Sequence, residues 1–461
     1  MSLNTEQLLA EAGGFVNLSA RDDGMFSIFR GRIVWGILAA ALCLRLGAAL
    51  VANQHVQHAG REFLVEGDAN GYWELGRRLA AGESYELYEP PRRVLRTPGF
   101  PLLLAAFRPL TGNSIPAATL AMALIGTAGC LLTGLLGACC AGRRCGLATL
   151  TIAAVSPLQV GMSIQILSEV WFGVWLVLAV LVGAALVRPA VLRPCSVGGW
   201  SLFVRGLVSG LVAGAGVLVR PGWILWPAVF AMWLLIQSRR GRVLLPICAG
   251  LFLGCWLILL PWAWRNHSVT GKWIYTSLWS GPSLYDGLNP AADGSSDMQF
   301  FERDGLSARM DEIAVDRFYR DAAFEFAAAN PRRTFELAVI KGTRFLSLTL
   351  NAAEFSAPLV DWTCLGWYGV LLMLAVAGIS TFAQRRSLLL LLVAPFFLFF
   401  LVHLAFVGSV RYRLPAELPL YVISGAGFLR LVDGRKVVQR RHSEAVLTVS
   451  DSSDRGRRTV V

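Results

Sequence analysis

The chain has 461 residues, of which 55% are hydrophobic and 16% are charged, and its mean hydropathy is +0.56. Because soluble domains carry roughly 25% charged residues, this composition excludes a soluble enzyme, a disordered hub and a disulfide-stapled secreted domain, and it predicts a polytopic membrane protein. Part of the formal net charge of +12 lies in short loops such as Arg143-Arg144 and Arg385-Arg386. Basic residues in short loops record membrane topology, so we expect no nucleic-acid partner.

The first apolar segment, residues 33–52, follows Arg30 and Arg32. Because basic residues stay on the cytoplasmic side, we place the N-terminus in the cytoplasm and the polar segment 53–98 outside. Residues 99–110 are also apolar, but at about 1.5 Å per residue they are too short to cross a hydrocarbon core of about 30 Å. We predict an interfacial or re-entrant helix there.

Nine further apolar segments give about ten predicted spans, with both chain ends inside. They cover residues 114–140, 146–163, 166–187, 199–219, 222–238, 243–262, 360–381, 388–408 and 415–431. The predicted organisation is a cytoplasmic segment (1–32), a membrane domain (33–262) with the first outer loop at 53–98, a large outer loop (263–358), C-terminal membrane helices (359–432) and a disordered cytoplasmic tail (433–461).

The large outer loop has helical periodicity. Apolar residues recur at helical spacing between Asp304 and Asn330, and Pro331 interrupts the pattern. Residues 335–350 form a second apolar face, with Lys341 and Arg344 predicted opposite it. We interpret both stretches as amphipathic helices that lie on the outer membrane surface.

Carboxylates mark the outer face as the place for chemistry. Glu169 and Glu417 fall inside apolar segments, near their outer ends, and ionisable residues there are functional candidates. Asp68 stands at the start of a helix-like run in the first outer loop, where an N-cap is the simplest role. Arg96 precedes an apolar stretch, and its simplest role is to reach the lipid headgroups.

Several short motifs, in order, resemble a known family. They are Asp68 with Tyr72, Ala80 and Gly82; Arg96-Thr97-Pro98-Gly99-Phe100-Pro101-Leu102-Leu103; Ser168-Glu169; Arg220-Pro221; Pro261-Trp262-Ala263-Trp264-Arg265-Asn266; and Arg411-Tyr412-Arg413-Leu414-Pro415-Ala416-Glu417. The set runs from residue 68 to residue 417. It resembles bacterial membrane glycosyltransferases of the C-type fold, such as protein O-mannosyltransferase-like and lipid A aminoarabinose transferase-like enzymes.

The resemblance implies an all-α integral membrane fold of about ten transmembrane helices, with interfacial helices in two extracytoplasmic loops. It also implies inverting transfer of a sugar from a polyprenyl-phosphate donor to an acceptor hydroxyl on a protein, lipid or glycan. The enzyme would be a multi-pass protein of the cell inner (plasma) membrane, with its active site facing outside the cytoplasm. Asp68 matches the family's loop carboxylate, the general base. This chain has Asp68-Ala69 where relatives often have an Asp-Glu pair, which leaves the acceptor open.

The chemistry is consistent with these roles, since a positioned base contributes about 10²–10⁴-fold to a rate and arginine binds phosphate through paired hydrogen bonds. The preference for basic residues on the cytoplasmic side does not explain arginines at the outer ends of spans. The predicted substrate-binding residues are Tyr72, Arg96, Glu169, Arg220, Arg265, Arg411 and Arg413. For each arginine alone, snorkelling or pairing with an acid is an equal alternative, and Glu417 is most simply a structural partner of Arg411 or Arg413.

The outer histidines, His55, His58 and His267, lack enough neighbouring acids or cysteines to predict a metal site, and we expect no metal and no cofactor. The expected partners are the polyprenyl-phosphate-sugar donor, the acceptor and the bilayer. The main alternative is a transporter or flippase for a lipid-linked or anionic substrate. Apolar span centres and polar residues at one face favour the transferase, because transporters bind near mid-membrane. A non-catalytic membrane scaffold is a weaker alternative.

Overall fold

The computed structural model describes residues 25–192, 198–238, 240–351 and 357–434. The predicted terminal segments therefore lie almost wholly outside the described residues. Within these ranges the regular structure is helical, with one isolated antiparallel bridge between Leu87 and Arg92. The main helices are α1 (Arg32–His58), α2 (Asp68–Ala81), α3 (Gly99–Thr111), α4 (Ile115–Val155), α5 (Pro157–Met162), α6 (Ser168–Val182), α7 (Gly199–Val219), α8 (Trp226–Gln237), α9 (Gly241–Thr270), α10 (Ser280–Gly287), α11 (Gln299–Asp304), α12 (Glu312–Ala329), α13 (Pro331–Leu346), α14 (Pro358–Ile379), α15 (Arg386–Ala405), α16 (Val410–Glu417) and α17 (420–434).

Six helical runs among the described residues are long and apolar enough to cross a membrane. Two of them are interrupted: α4 breaks at Ala141 and Gly142, and a 3-10 turn at Ser380–Arg385 separates α14 from α15. With these divisions the six runs overlap eight of the ten predicted spans, and the other two, 222–238 and 415–431, fall on the shorter helical segments Pro221–Gln237 and α17. The 13 residues of α3 are too few to cross, as predicted.

A glycine seam joins α7 to α9. A Cβ on Gly206 would lie 2.1 Å from the carbonyl oxygen of Ile247, and one on Gly254 would lie 2.3 Å from that of Leu207. Small residues at four-residue spacing let membrane helices approach backbone to backbone. The seam fixes α7 against α9, and therefore fixes Arg220, which directly follows α7.

The two long loops contact each other at one end of the bundle, which we call the loop end. The carboxylate of Glu312 at the start of α12 accepts hydrogen bonds from the backbone N–H groups of Arg93 and Val94, both at 2.9 Å. The N–H of Leu278 donates to the carbonyl of Val94 at 2.8 Å. These bonds hold Arg93 and Val94 of the first loop against the second loop.

The prediction that Lys341 lies opposite the apolar face of its helix is wrong. Lys341 is fully buried, and its Nζ donates to the carbonyl oxygens of Gly287 at 3.1 Å and Ala405 at 2.7 Å. Those two residues end α10 and α15, where carbonyls lack partners within the helix. The lysine therefore turns inward to satisfy two helix ends, while Phe335 of the same helix is exposed.

Candidate active site

Asp68 is the first residue of α2, and its carboxylate does not serve as the helix cap. The N-cap is Gly67, whose N–H donates to the side-chain oxygen of Asn70 at 2.8 Å. Gly67 has φ +82°, a left-handed backbone that favours glycine. The N-cap alternative for Asp68 is therefore wrong, and its two oxygens bind other groups.

Five of the predicted site residues form a continuous charged row: Arg96, Asp68, Arg411, Glu169 and Arg220. Arg96 Nη2 donates to Asp68 Oδ1 at 2.5 Å, and Arg411 Nη2 donates to Asp68 Oδ2 at 2.9 Å. Arg411 Nε donates to Glu169 Oε1, and Arg220 Nη1 lies 3.3 Å from the same oxygen. Three guanidinium groups against two carboxylates leave this row with one net positive charge.

The two carboxylates of the row differ in access. The Asp68 side chain is 32% exposed, whereas the Glu169 side chain is 1% exposed. Glu169 is thus an inner anchor that holds Arg411 and Arg220 in place. Asp68 is the carboxylate of the row that a substrate could reach.

The arginines determine the charge of Asp68. Burial alone would raise its pKa, but the positive charges of Arg96 and Arg411 and their hydrogen bonds outweigh that effect and hold the pKa well below its usual range. Asp68 is consequently ionised at neutral pH. A carboxylate held in this way is a poor proton acceptor until one guanidinium is withdrawn.

Aromatic rings support the arginines. The guanidinium of Arg96 lies 4.8 Å from the centre of the Tyr72 ring, and that of Arg220 lies 5.2 Å from the Tyr412 ring, both within range for cation–π attraction. The Tyr72 hydroxyl is 3.4 Å from Ser168 Oγ. Tyr72 thus lies beside the row, and its predicted role in substrate binding stays a prediction. The site prediction omitted Tyr412, although it stands between two of the predicted arginines.

Arg265 and Arg413 do not join the row. Arg265 donates to the backbone carbonyls of Arg93 at 2.5 Å and Tyr85 at 2.8 Å, and so it braces the first loop. Arg413 is buried and donates to Glu417 at 2.5 Å and to the carbonyl of Phe345 at 2.6 Å. The structural pairing proposed for Glu417 is present, and it uses Arg413, whereas Arg411 pairs with Asp68 and Glu169.

Metal ligands are scarce in the part of the chain that the structure describes. No three His, Cys, Asp or Glu side chains gather there as potential ligands. The acids of the row, Asp68 and Glu169, each have a guanidinium at hydrogen-bond distance from a carboxylate oxygen. The arrangement is suited to binding an anion beside a carboxylate that can accept a proton.

Solved structures of an archaeal oligosaccharyltransferase share this fold. The apo structure from Archaeoglobus fulgidus has a TM-score of 0.53 at 14% identity, over 91% of this chain and 52% of that one. AglB from the same organism, in complex with an inhibitory peptide and a dolichol-phosphate, gives 0.53 at 13% identity, over 89% and 52%. The form tethered to an acceptor peptide gives 0.54 at 12% identity, over 91% and 52%.

The chain therefore spans about half the length of the oligosaccharyltransferase structures that it matches. No protein-family model and no curated protein matches its sequence. The structural likeness confirms the all-α membrane fold that was predicted from the sequence.

Proposed function

We propose that this protein is a membrane glycosyltransferase that moves a sugar from a polyprenyl-phosphate donor to an acceptor hydroxyl at the extracytoplasmic face. The observation that carries the proposal is the charged row, in which the accessible carboxylate of Asp68 lies between two arginines. The shared fold with a transferase whose solved complex contains a dolichol-phosphate supports it. The arginine-rich short loops at the opposite end support the orientation.

The reaction follows from the charges of the row. The arginines bind the donor phosphate, and the single net positive charge matches the single negative charge of a phosphodiester. The acceptor oxygen attacks the anomeric carbon from the face opposite the phosphate, so the configuration inverts. The bond from that carbon to the phosphate oxygen breaks, and its electrons stay on the phosphate, where charge-assisted hydrogen bonds stabilise them. Asp68 takes the acceptor proton.

Donor binding comes first in this mechanism. Each oxygen of Asp68 accepts a hydrogen bond from a guanidinium, and the two positive charges keep the carboxylate too weakly basic to take the acceptor proton. A phosphate that draws Arg411 toward itself frees Asp68 Oδ2 and raises the pKa of the carboxyl. Glu169 retains the inner side of Arg411 during this exchange. Donor binding thus makes Asp68 a stronger base.

A transporter or flippase is the runner-up, but the row lies where loop residues meet helix ends, and a transport site is expected near mid-membrane. Lipid mass spectrometry on cells that carry Asp68→Asn in place of the native gene tests the transferase. We expect one polyprenyl-phosphate-sugar to accumulate, with Glu66→Gln as a matched control on the exposed part of the same loop. Normal donor levels at normal amounts of mutant protein would move the transporter hypothesis to the front.

A further inference from the structure

A cavity of about 310 Å³ lies at the loop end of the bundle. It is formed by the last turns of α1, the first turns of α4, and the segments 61–65 and 164–166. None of the three arginines of the charged row lines it, because Arg96, Arg220 and Arg411 come from other parts of the chain. The cavity is therefore a second feature, separate from the anion-binding side of the site.

Two segments that line the cavity are followed closely in the sequence by the carboxylates of the row. Val65 lines the cavity three residues before Asp68, and Ile166 lines it three residues before Glu169. An extended chain covers at most about 3.6 Å per residue. The Cα atoms of these wall residues are thus no more than about 11 Å from those of the two acids. The cavity therefore lies within about 11 Å of the row along the two chain segments that carry its acids.

The lining is polar but carries no net charge. Its only charged side chains are Arg61 and Glu62, and Arg61 pairs with Glu66 at 3.5 Å. The other polar groups are amides and hydroxyls: Asn53, Gln57, Asn113, Ser114, Thr119 and Gln165. A phosphate would find no uncompensated positive charge here. The donor headgroup therefore belongs with the arginines, and an uncharged ligand belongs in the cavity.

The amides have hydrogen-bonding capacity beyond their structural bonds. Asn53 Nδ2 donates to the carbonyl of Pro116 at 3.3 Å, and Gln165 Nε2 donates to that of Gly161 at 3.0 Å. Each such bond uses one N–H of an amide that has two N–H donors and an acceptor oxygen. Apolar side chains such as Ala52 and Ile115 complete the wall. A sugar ring matches this lining, because its hydroxyls can bond to the amides and its apolar faces can pack on the apolar side chains.

We infer that this cavity is the acceptor site and that it takes an uncharged, hydroxyl-bearing sugar unit, an inference that rests on the proposed transferase function. Its volume lies at the low end of the range for ligand pockets, about 300–1,000 Å³, so it accommodates one sugar unit. Donor and acceptor then approach Asp68 from different sides, with the phosphate among the arginines and the acceptor sugar among the amides. In-line displacement requires that separation.

Filling the cavity tests the inference. Ala52→Phe places a ring in it, and Val51→Phe is the matched control because Val51 is the neighbouring residue of α1 and is 67% exposed. Gln165→Ala removes a polar group without adding bulk. For each variant, the donor lipid is measured in cells, and the purified full-length protein is tested for binding of undecaprenyl phosphate by native mass spectrometry.

We expect Ala52→Phe to accumulate donor about tenfold or more over Val51→Phe, because loss of acceptor positioning lowers transfer by roughly 10²-fold. Gln165→Ala should accumulate less, and both should bind undecaprenyl phosphate within about twofold of the native protein. Intact lipid binding also shows that the variants are folded. Sugar analysis of the glycolipid and polysaccharide fractions then shows which one lacks the added residue, and so which one carries the acceptor.

Two results would overturn the inference. Normal donor levels in Ala52→Phe and Gln165→Ala, while Asp68→Asn accumulates donor, would mean that the acceptor binds elsewhere. Loss of undecaprenyl phosphate binding in Gln165→Ala would mean that the cavity holds the donor. If Asp68→Asn itself accumulates no donor, the transferase function fails and the acceptor site fails with it. That outcome is distinguishable because Asp68 lies outside the cavity lining.

Discussion

The exchange of Arg411 between Asp68 and a phosphate, which we propose above, predicts a measurable change in the reactivity of one carboxyl group. Carbodiimides couple amines to protonated carboxyls, so the labelling of Asp68 follows its pKa. An arginine beside an aspartate lowers the pKa by about 1–3 units, and each unit changes the protonated fraction about tenfold well above the pKa. Arg411→Gln leaves Arg96 at 2.5 Å and should raise the labelling of Asp68 by about 10–10³-fold.

The sequence offers an internal standard for this experiment. Cleavage after Arg61 and Arg77 releases one peptide that contains both Asp68 and Glu66, and the Glu66 side chain is 49% exposed. The ratio of label on these two residues, measured by peptide mass spectrometry at about pH 6, is independent of protein amount. Undecaprenyl phosphate added to the native protein should raise the ratio toward that of Arg411→Gln.

Each result has a clear meaning. If labelling of Asp68 is equal in the native protein and in Arg411→Gln, Arg411 does not control the carboxyl. If Arg411→Gln reacts faster but the lipid phosphate has no effect, the pair is structural and the proposed order of events is refuted. Glycerol phosphate, which lacks the polyprenyl chain, is the control for a non-specific effect of the anion.

The remaining predictions concern binding and stability. Arg96→Ala should weaken binding of undecaprenyl phosphate by about 10–100-fold in a titration, because a hydrogen bond to a charged group contributes roughly 1.5–3 kcal/mol; unchanged binding would remove Arg96 from the phosphate site. Glu312→Ala removes the acceptor for the N–H groups of Arg93 and Val94 and should lower the melting temperature and increase proteolysis of the first loop. Unchanged resistance of that loop to proteolysis would show that these hydrogen bonds do not hold it. Burial lowers the pKa of Lys341 to about 8, so between that pH and its ordinary pKa the folded state binds fewer protons than the unfolded state. The free energy of unfolding should therefore rise with pH across this window, and Lys341→Met should abolish the rise seen in thermal melts.

The membrane architecture was predictable because a bilayer demands long apolar runs whose backbone groups are satisfied internally. Those runs are visible in the sequence, including the short α3. The break of α4 at Gly142 was also visible, since Arg143-Arg144 follows it directly. The orientation of the bundle stays a prediction from the distribution of arginines.

The candidate site was predictable as a set of residues at one end of the bundle but not as a set of contacts. Arg411 and Arg413 stand two positions apart, and sequence alone assigned both to substrate. In the structure Arg413 bonds to Glu417 across one helical turn, a spacing that favours pairing, while Arg411 reaches Asp68, which is 343 positions away in the chain. Contacts at such separations depend on tertiary packing.

The burial of Lys341 could not be predicted from the sequence either. Helical periodicity assigned Lys341 to the polar face of its helix. Its actual partners are two backbone carbonyls at the ends of other helices. Carbonyls carry no residue-type signal, so no pattern of side chains could have indicated this contact. Arg265, which also binds backbone carbonyls, was assigned to substrate from its place at the outer end of a span and in a motif of the family resemblance.

The glycine seam between α7 and α9 has a consequence for motion. Where two helices touch through their backbones, no side chain can change rotamer to alter their separation. Arg220, just beyond the end of α7, and Arg265, at the loop end of α9, are thereby held at a constant spacing. This pair is fixed, so the rearrangement in the proposed mechanism falls to the Arg411 side chain and to the first loop, which carries Asp68. In that mechanism, donor binding moves Arg411 relative to a fixed Arg220.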